Sequence, residues 1–254
     1  MKIALPLLFS LALAAPAVAD DCRHTAPRQL SAPSEGVKIV EVHAGAGALV
    51  VRGGAAAGIR ASGTACSSSA DALEKIRLES KRTGDRLVIE AVFPEMASWG
   101  FGWNLQRRLD FTVELPQTLP VRIDDGSGSI EVRNVAAADI DDGSGEIEVR
   151  GVAGTVTVDD GSGDISIVDA GGVAVEDGSG SIEIRSIRGA VVIEEDGSGA
   201  IEIADVTGNV TIEDDGSGSI AVRNVSGDFT LRDDGSGGVT VDGVRGKVSI
   251  PRDK

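Results

Sequence analysis

The residues of this chain that are best suited to chemistry are acids paired at a repeated Gly-Ser-Gly corner. Gly-Ser-Gly occurs seven times between Gly126 and Gly237, each time directly after an aspartate, and a second acid precedes each aspartate. The residues next to the glycine are Asp125, Asp142, Asp160, Asp177, Asp196, Asp215 and Asp234. The acids before them are Asp124, Asp141, Asp159, Glu176, Glu195, Asp214 and Asp233. Carboxylates in Gly-rich corners can coordinate Ca²⁺ or accept hydrogen bonds from the backbone N–H groups of the turn.

Stacking these corners carries an electrostatic cost that one of the two roles must offset. Carboxylates in neighbouring coils would lie about 5 Å apart and repel by about 1 kcal/mol per pair in water. The spacing matches neither an EF-hand loop nor the nonapeptide calcium repeat. We therefore expect solvated, turn-capping aspartates with no metal and no other cofactor, and Ca²⁺ on the two Asp columns is the alternative.

A second candidate site is a cluster of aromatic residues. After the first 20 residues the chain has six aromatic side chains, and four of them are Phe93, Trp99, Phe101 and Trp103. Arginines follow at 107 and 108, and exposed aromatic side chains with arginine are typical partner anchors. The segment is therefore a candidate recognition loop for a protein or glycan. The other interpretation is a plug over the open N-terminal end of a repeat core.

The sequence offers little material for catalysis. His24 and His43 are too few for a zinc site, and Gly-Ser-Gly is neither a phosphate-binding loop nor a nucleophile elbow. Acids are so numerous that no carboxylate pair stands out. We expect no catalytic residues and no enzyme activity, with a polysaccharide-acting β-helix enzyme as the less favoured alternative.

The elements that would position these residues follow from the period of the repeat. The seven aspartates are separated by 17, 18, 17, 19, 19 and 19 residues, which indicates a repeat architecture. Within the unit 143–160, Ile147 and Val149 alternate with charged residues, and Val156 and Val158 alternate with threonine and aspartate. Alternation with period two indicates half-buried strands. The sequence predicts an all-β fold, a parallel β-solenoid of about seven coils with two short strands per 17–19-residue coil.

Stacked coils would build continuous apolar ladders. On the first strand these are Ile130, Ile147, Ile165, Ile182, Ile201, Ile220 and Val239, followed by Val132, Val149, Ile167, Ile184, Ile203, Val222 and Val241. On the facing strand they are Val156, Val173, Val191, Val210, Phe229 and Val248, followed by Val158, Val175, Ile193, Ile212, Leu231 and Ile250. β-Branched side chains suit such a pleated, buried surface.

The remaining segments define the domain organisation and location. Residues 1–19 read as a signal peptide, with Lys2, an apolar run and Ala17-Val18-Ala19, so we expect export to the periplasm, the cell surface or the medium. Residues 20–120 read as an irregular β-rich cap with one short helix near 69–75, and residues 121–254 form the solenoid. No later stretch is apolar enough to span a membrane. Cys22 and Cys66 form an even pair that predicts a disulfide in an exported chain.

Charge is distributed unevenly along the chain. Residues 1–123 carry 14 Lys and Arg against 12 Asp and Glu, whereas residues 124–254 carry 10 against 28. The acidic repeats would repel nucleic-acid phosphates and anionic membranes. We therefore expect no nucleic-acid partner, and the expected partner is an unidentified protein or glycan.

The repeats resemble those of a known family. The stretch Gly-Ser-Gly-Ser-Ile-Glu-Val-Arg-Asn-Val at 126–135, with Gly-Asp-Phe-Thr-Leu at 227–231 closing a coil, is similar to the bacterial putative-adhesin family. The run ending at 111–116 extends the likeness loosely toward the N-terminus. The resemblance implies an exported β-solenoid with an adhesin-like, non-enzymatic function, and a purely structural scaffold is the alternative. It supplies no catalytic residues.

Overall fold

Alternating residues build two parallel sheets that enclose one apolar core. The computed structural model describes residues 22–94 and 106–251. Its N-terminal elements are β1 (His24–Pro33), β2 (Ile39–His43), β3 (Leu49–Gly54), β4 (Gly58–Ser67), α1 (Ala70–Lys75), β5 (Arg77–Thr83), β6 (Arg86–Val92) and β7 (Arg107–Pro116). The repeats contribute β8 (Val121–Asp125), β9 (Ile130–Arg133), β10 (Ala138–Asp142), β11 (Ile147–Asp160), β12 (Ile165–Asp177), β13 (Ile182–Ile187), β14 (Val191–Asp196), β15 (Gly199–Val206), β16 (Val210–Asp215), β17 (Gly218–Val225), β18 (Phe229–Asp234), β19 (Gly237–Asp242) and β20 (Val248–Ser249).

The predicted parallel solenoid is confirmed, because each strand pairs in parallel with its equivalent in the next coil. Ile147 lies between Ile130 and Ile165, and Val156 lies between Ala138 and Val173. The first strands of the coils form one sheet, and the second strands form the other. The long strands β11 and β12 continue from one sheet into the other around a corner.

The core contains the predicted ladders and one more that the alternation did not predict. The predicted members from Ile130 to Leu231 are all buried. A third column lies at the corner between the two strands of a coil and consists of Val135, Val152, Ala170, Ile187, Val206 and Val225. One residue per coil at this corner has a left-handed backbone: Asn134, Gly151, Asp169, Ser186, Asp205, Asn224 and Gly243. Gly and Asn or Asp are the residues that adopt this conformation most readily.

The N-terminal coils do not stack in the order of the chain. Strand β2 pairs with both β6 and β8, and β3 pairs with both β7 and β9. The coil formed by β2 and β3 is therefore inserted between the β6–β7 coil and the regular repeats. The core runs from the repeats into this region without interruption.

Antiparallel strands and the short helix close the N-terminal end of the core. Strands β1 and β4 extend one sheet beyond β7, and β5 extends the other beyond β6. Helix α1 connects β4 to β5 and is followed by the fully buried Ile76. The Arg28 guanidinium donates to the carbonyl oxygens of Leu73 at 2.6 Å and of Ile76 at 2.5 Å, which satisfies acceptors at the end of the helix. Ser69 is the N-cap of this helix, which lies where the short helix was predicted.

The opposite end of the described chain is open. Val248 and Ile250 were predicted to point into the core, but their exposed fractions are 44% and 41%. Val239 and Val241 in the same coil are only partly buried. The difference arises because no described residue packs on the outer side of this coil. Its inward-facing side chains therefore contact the preceding coil only, whereas those of the other repeats are covered by a coil on each side.

Candidate functional site

The two acids that precede each Gly-Ser-Gly turn lie on opposite faces of their sheet, whereas both were expected from the sequence to lie on one solvated surface. The aspartates next to the glycine lie in register from coil to coil, and the members Asp125, Asp142, Asp160, Asp177, Asp196 and Asp215 are buried, while Asp234 is half-buried. We call these seven residues the aspartate ladder. The expectation that they are solvated was wrong. The strand alternation continues through Ile123, Asp124 and Asp125, and it directs every second side chain inward. In the coils of Asp196, Asp215 and Asp234 one extra residue precedes the outer acid, and a register shift where this begins keeps the aspartates aligned.

The predicted turn-capping role of the aspartates is present at four corners. The Gly126 N–H donates to Asp125 Oδ1 at 2.8 Å, and the Ser179 N–H donates to Asp177 Oδ1 at 3.1 Å. Equivalent bonds reach Asp142 and Asp160 from the serines that follow them. The second oxygen of each of these four carboxyl groups is buried without a hydrogen-bond partner.

Burial changes the acidity of the ladder. Desolvation, reinforced by the charge of neighbouring aspartates, raises the pKa of Asp142 and of Asp177 to about 6. The same causes raise the pKa of Asp196 to about 7. The pKa values of Asp125, Asp160 and Asp215 are also raised, mainly by burial.

The preceding acids form the second column, which is exposed. Asp124, Asp141, Asp159, Glu176, Glu195, Asp214 and Asp233 follow one another along the rod on the outer face of the second-strand sheet. We call this column the outer acids and this sheet the acidic sheet. His43 lies beyond Asp124 in the same column, with its Nδ1 3.4 Å from Asp124 Oδ2. Within the described chain, Asp141, Asp159, Glu176 and Glu195 form no ion pair.

A row of mostly small side chains runs beside the outer acids. Thr157, Ala174, Val192, Thr211 and Thr230 occupy successive coils, two positions before the outer acid in the first two coils and three positions before it in the other three. An open depression of about 210 Å³ lies beside part of this row, and its lining includes Thr157, Ala174, the outer acids Asp141, Asp159 and Glu176, and Arg122. Pockets for small molecules are usually enclosed and occupy about 300–1,000 Å³. The surface is therefore better shaped for an elongated partner than for a small molecule.

The first-strand sheet has a different distribution of charge, and we call it the Glu–Arg sheet. Arg133 is 2.7 Å from Glu131 and 3.5 Å from Glu148, and so bridges two coils. Arg185 bridges Glu183 and Glu202 in the same way, at 2.5 and 3.5 Å. Arg150 contacts Glu148, and its guanidinium holds the pKa of that carboxyl below its usual range. The charges of this sheet largely neutralise one another.

The other predicted site residues are only partly within the described chain. Cys22 and Cys66 form the predicted disulfide, with their Cα atoms 5.4 Å apart, and it ties the start of the described chain to β4. Phe93 is partly buried against the core, with the Arg107 guanidinium carbon 6.0 Å from its ring centroid. Trp99, Phe101 and Trp103 lie outside the described residues, so the recognition loop stays a prediction.

The described residues do not assemble a compact metal cluster. Among them, no group of three or more His, Cys, Asp or Glu side chains is arranged to hold a metal ion. The ladder spaces its carboxyl groups one strand apart, about 4.8 Å, and presents them in a single line. Residues 22–94 and 106–251 also contain no helix with the length and apolarity needed to cross a membrane.

Three solved structures resemble this chain over most of its length at low sequence identity. A putative adhesin from Bacteroides fragilis is 13% identical over 90% of this chain and 97% of its own, with a TM-score of 0.45. A putative cell adhesion protein from Clostridium sporogenes is 11% identical over 89% and 98%, with a TM-score of 0.37. A putative lipid binding protein from Parabacteroides distasonis is 14% identical over 89% and 96%, with a TM-score of 0.41.

Sequence comparison gives no further relative: no protein-family model matches the chain, and no curated protein matches it significantly. At the identities and TM-scores of the solved structures, we draw nothing about function from them. The residues of this chain therefore carry the functional proposal.

Proposed function

We propose that this chain is an exported, non-enzymatic, adhesin-like rod of the bacterial cell envelope or surface that binds a cationic partner along its acidic sheet. The observation that carries the proposal is the contrast between the two sheets. On the Glu–Arg sheet arginines form ion pairs with Glu131, Glu148, Glu183 and Glu202. The outer acids Asp141, Asp159, Glu176 and Glu195 have no ion-pair partner within the described chain, while elsewhere on the acidic sheet Arg122 pairs with Asp139 and Arg232 pairs with Glu213.

The unpaired column is costly to the rod by itself. Neighbouring outer acids lie about 4.8 Å apart, and exposed like charges at that distance repel by about 1 kcal/mol before salt screening. Stability therefore does not explain why acids occupy this column. A partner that carries lysine or arginine side chains would relieve the repulsion on binding, and the row of small side chains beside the acids would let it approach the sheet closely.

The shape of the surface favours binding over catalysis. The carboxylates repeat at every coil, so no pair of them is distinguished by its geometry as an acid and a base. The depression beside them is shallow and open. These features support a non-enzymatic surface whose binding energy comes from many similar contacts.

Removing charge from one sheet at a time tests the proposal. One variant replaces Asp141, Asp159, Glu176 and Glu195 with their amides, and the matched control replaces Glu131, Glu148, Glu183 and Glu202 with glutamine. The probe is an immobilised ten-residue lysine peptide at low ionic strength. Each exposed charge contact is worth about 0.3–0.4 kcal/mol, and the first variant loses four of them. We therefore expect the first variant to bind the peptide about tenfold more weakly and the affinity of the control to change little. Equal losses of affinity in both variants would show that binding depends only on the net charge of the protein, and would refute a specific docking face.

Export is tested separately. The disulfide supports an oxidising compartment outside the cytoplasm. The test is fractionation of cells that express either the full chain or the chain without residues 1–19. We expect the full chain outside the cytoplasm and the shortened chain inside it. Retention of the full chain in the cytoplasm would contradict the proposed location while leaving the docking face open to the binding assay.

A further inference from the structure

The aspartate ladder is a line of carboxyl groups inside the protein, distinct from the exposed docking surface. Its first six members are at most 4% exposed. Asp142, Asp160 and Asp177 each have one carboxyl oxygen that accepts no hydrogen bond, and Asp196 and Asp215 have two. A buried polar atom without a partner is costly, and a buried charge without a partner is more so. The position therefore requires a ligand or a change in protonation.

The geometry distinguishes a proton from a metal ion. Ca²⁺ takes about six to eight oxygen ligands, but each gap of the ladder lies between only two carboxyl groups, in an apolar interior. The turns direct N–H donors, which cannot ligate a cation, toward Asp125, Asp142, Asp160 and Asp177. A proton between two carboxyl oxygens needs only those two oxygens, as donor and acceptor.

We propose that the aspartate ladder is a proton-binding site, in which some members remain neutral carboxylic acids at neutral pH and donate O–H hydrogen bonds to the carboxylates of adjacent coils. Asp196 and Asp215 are the central example. They are direct cross-strand neighbours in adjacent coils, each is 1% exposed, and neither carboxyl group has a hydrogen-bond partner, so a proton held by Asp196 can be donated to Asp215. The proton comes from solvent and returns to it, so no further reactant is required.

The charges around the ladder also favour proton uptake. Those that act on it through space are carboxylates: other members of the ladder, the outer acids Asp124, Asp159 and Asp214, and Asp164, which directly precedes β12. At the N-terminal end, His43 contacts Asp124 and Glu41. In the coil below Asp125, Ala44 holds the equivalent place, and Phe93 packs over Gly45. Burial raises the pKa of Asp142 and Asp177 to about 6 and that of Asp196 to about 7.

The direction of the pH dependence follows from these shifts. The folded chain binds protons at a pH where the unfolded aspartates, with an ordinary pKa of 3.8, have lost them. The stabilisation is fully present below 3.8 and is lost as the pH rises through about 6 to 7. Acid-stabilised folding is the reverse of what salt-bridged carboxylates produce. The pKa values of Asp85 and Glu148 are lowered in the folded chain, so these two groups make stability fall as the pH decreases. They do so only at pH values at or below the ordinary pKa of a carboxylate, outside the range in which the ladder titrates.

Linkage measurements on three proteins test the proposal. Urea unfolding between pH 5 and 8 is followed for the wild type, for Asp196→Asn and for the matched control Glu195→Gln, which removes an exposed acid one residue away. We expect wild-type stability to fall with rising pH, with a slope near pH 6 that corresponds to about two protons bound on folding. Asp196→Asn should lower the slope by about one proton, and Glu195→Gln should leave it unchanged. His24 and His43 are present in all three proteins and cancel from the comparison.

A direct measurement covers the case in which Asp196→Asn fails to fold. The folded wild type at pH 6.5 should show the infrared C=O band of a protonated carboxylic acid, and that band should vanish on unfolding in urea at the same pH. Absence of the band, or a pH slope that is equal in the wild type and Asp196→Asn, would overturn the proposal. So would a stability at pH 7.5 that depends on added Ca²⁺ in the wild type and not in Asp196→Asn, because the ladder would then hold a cation.

Discussion

Asp159 and Asp160 are consecutive residues whose carboxyl groups have opposite environments: the first is exposed on the acidic sheet and the second is buried in the core. The same division recurs at each of the seven Gly-Ser-Gly corners, except that Asp234 is only half-buried. One dipeptide thus supplies both a candidate binding surface and an internal line of carboxyl groups. The two can be altered independently by substitution.

The third residue of the Gly-Ser-Gly turn should tolerate no side chain. Gly145 has φ of +145°, and a Cβ placed there would lie 1.5 Å from the carbonyl oxygen of Gly128 in the coil below. Gly145→Ala should therefore lower the free energy of unfolding by more than about 2 kcal/mol, measured by urea unfolding. The control is Gly238→Ala, since a Cβ at Gly238 meets nothing within 4 Å and an equivalent position already holds Ala200. Similar stability of the two variants would refute the tight stacking of corners.

Phe229 should contribute more to stability than any residue of the last coil. It is fully buried, whereas Val248, its neighbour in the next coil, is 44% exposed. Phe229→Ala should cost about 3–5 kcal/mol through lost burial and a residual cavity, and Val248→Ala should stay within about 0.5 kcal/mol. Urea unfolding of both variants checks the difference. A large loss for Val248→Ala would mean that another surface covers this end in solution.

The disulfide should stabilise the cap measurably. Cys22 and Cys66 enclose a separation of 44 residues, and such a link is typically worth about 2–4 kcal/mol. Cys22→Ser with Cys66→Ser should lower the unfolding midpoint, and a reducing agent should lower the wild-type midpoint by the same amount. The double variant itself should not respond to the reducing agent. An unchanged wild-type midpoint would show that the bond is absent or makes no contribution.

The repeat region was predictable because its pattern is local. Ile147, Val149, Val156 and Val158 alternate with polar residues, and a fixed period then implies parallel stacking. The column at Val152 was missed because it lies at a corner, where the alternation of the flanking strands does not extend. The burial of Asp160 was missed because acids are expected at the surface, although the alternation from Val158 already assigned it to the interior.

The arrangement of the N-terminal coils could not be predicted from local patterns. The β-rich character of residues 20–120 was identified, but no local signal places β2 between β6 and β8. That order depends on contacts between residues about 45 to 80 positions apart, such as Val40 with Leu87 and Val121. Likewise the charged residues can be read from the sequence. Which acids form ion pairs with arginine and which do not became apparent only from the strands and sheets to which they belong.

The acidic sheet is tested most directly as a docking face by locating the contact surface on the labelled protein. Titration of the ten-residue lysine peptide into ¹⁵N-labelled chain, followed by NMR, reports which backbone amides respond. We expect the largest shifts on the acidic sheet, around Asp141, Asp159 and Glu176, and small shifts on the Glu–Arg sheet around Glu148 and Glu183. Shifts that are centred on the Glu–Arg sheet, or spread evenly over both sheets, would contradict the proposed docking face.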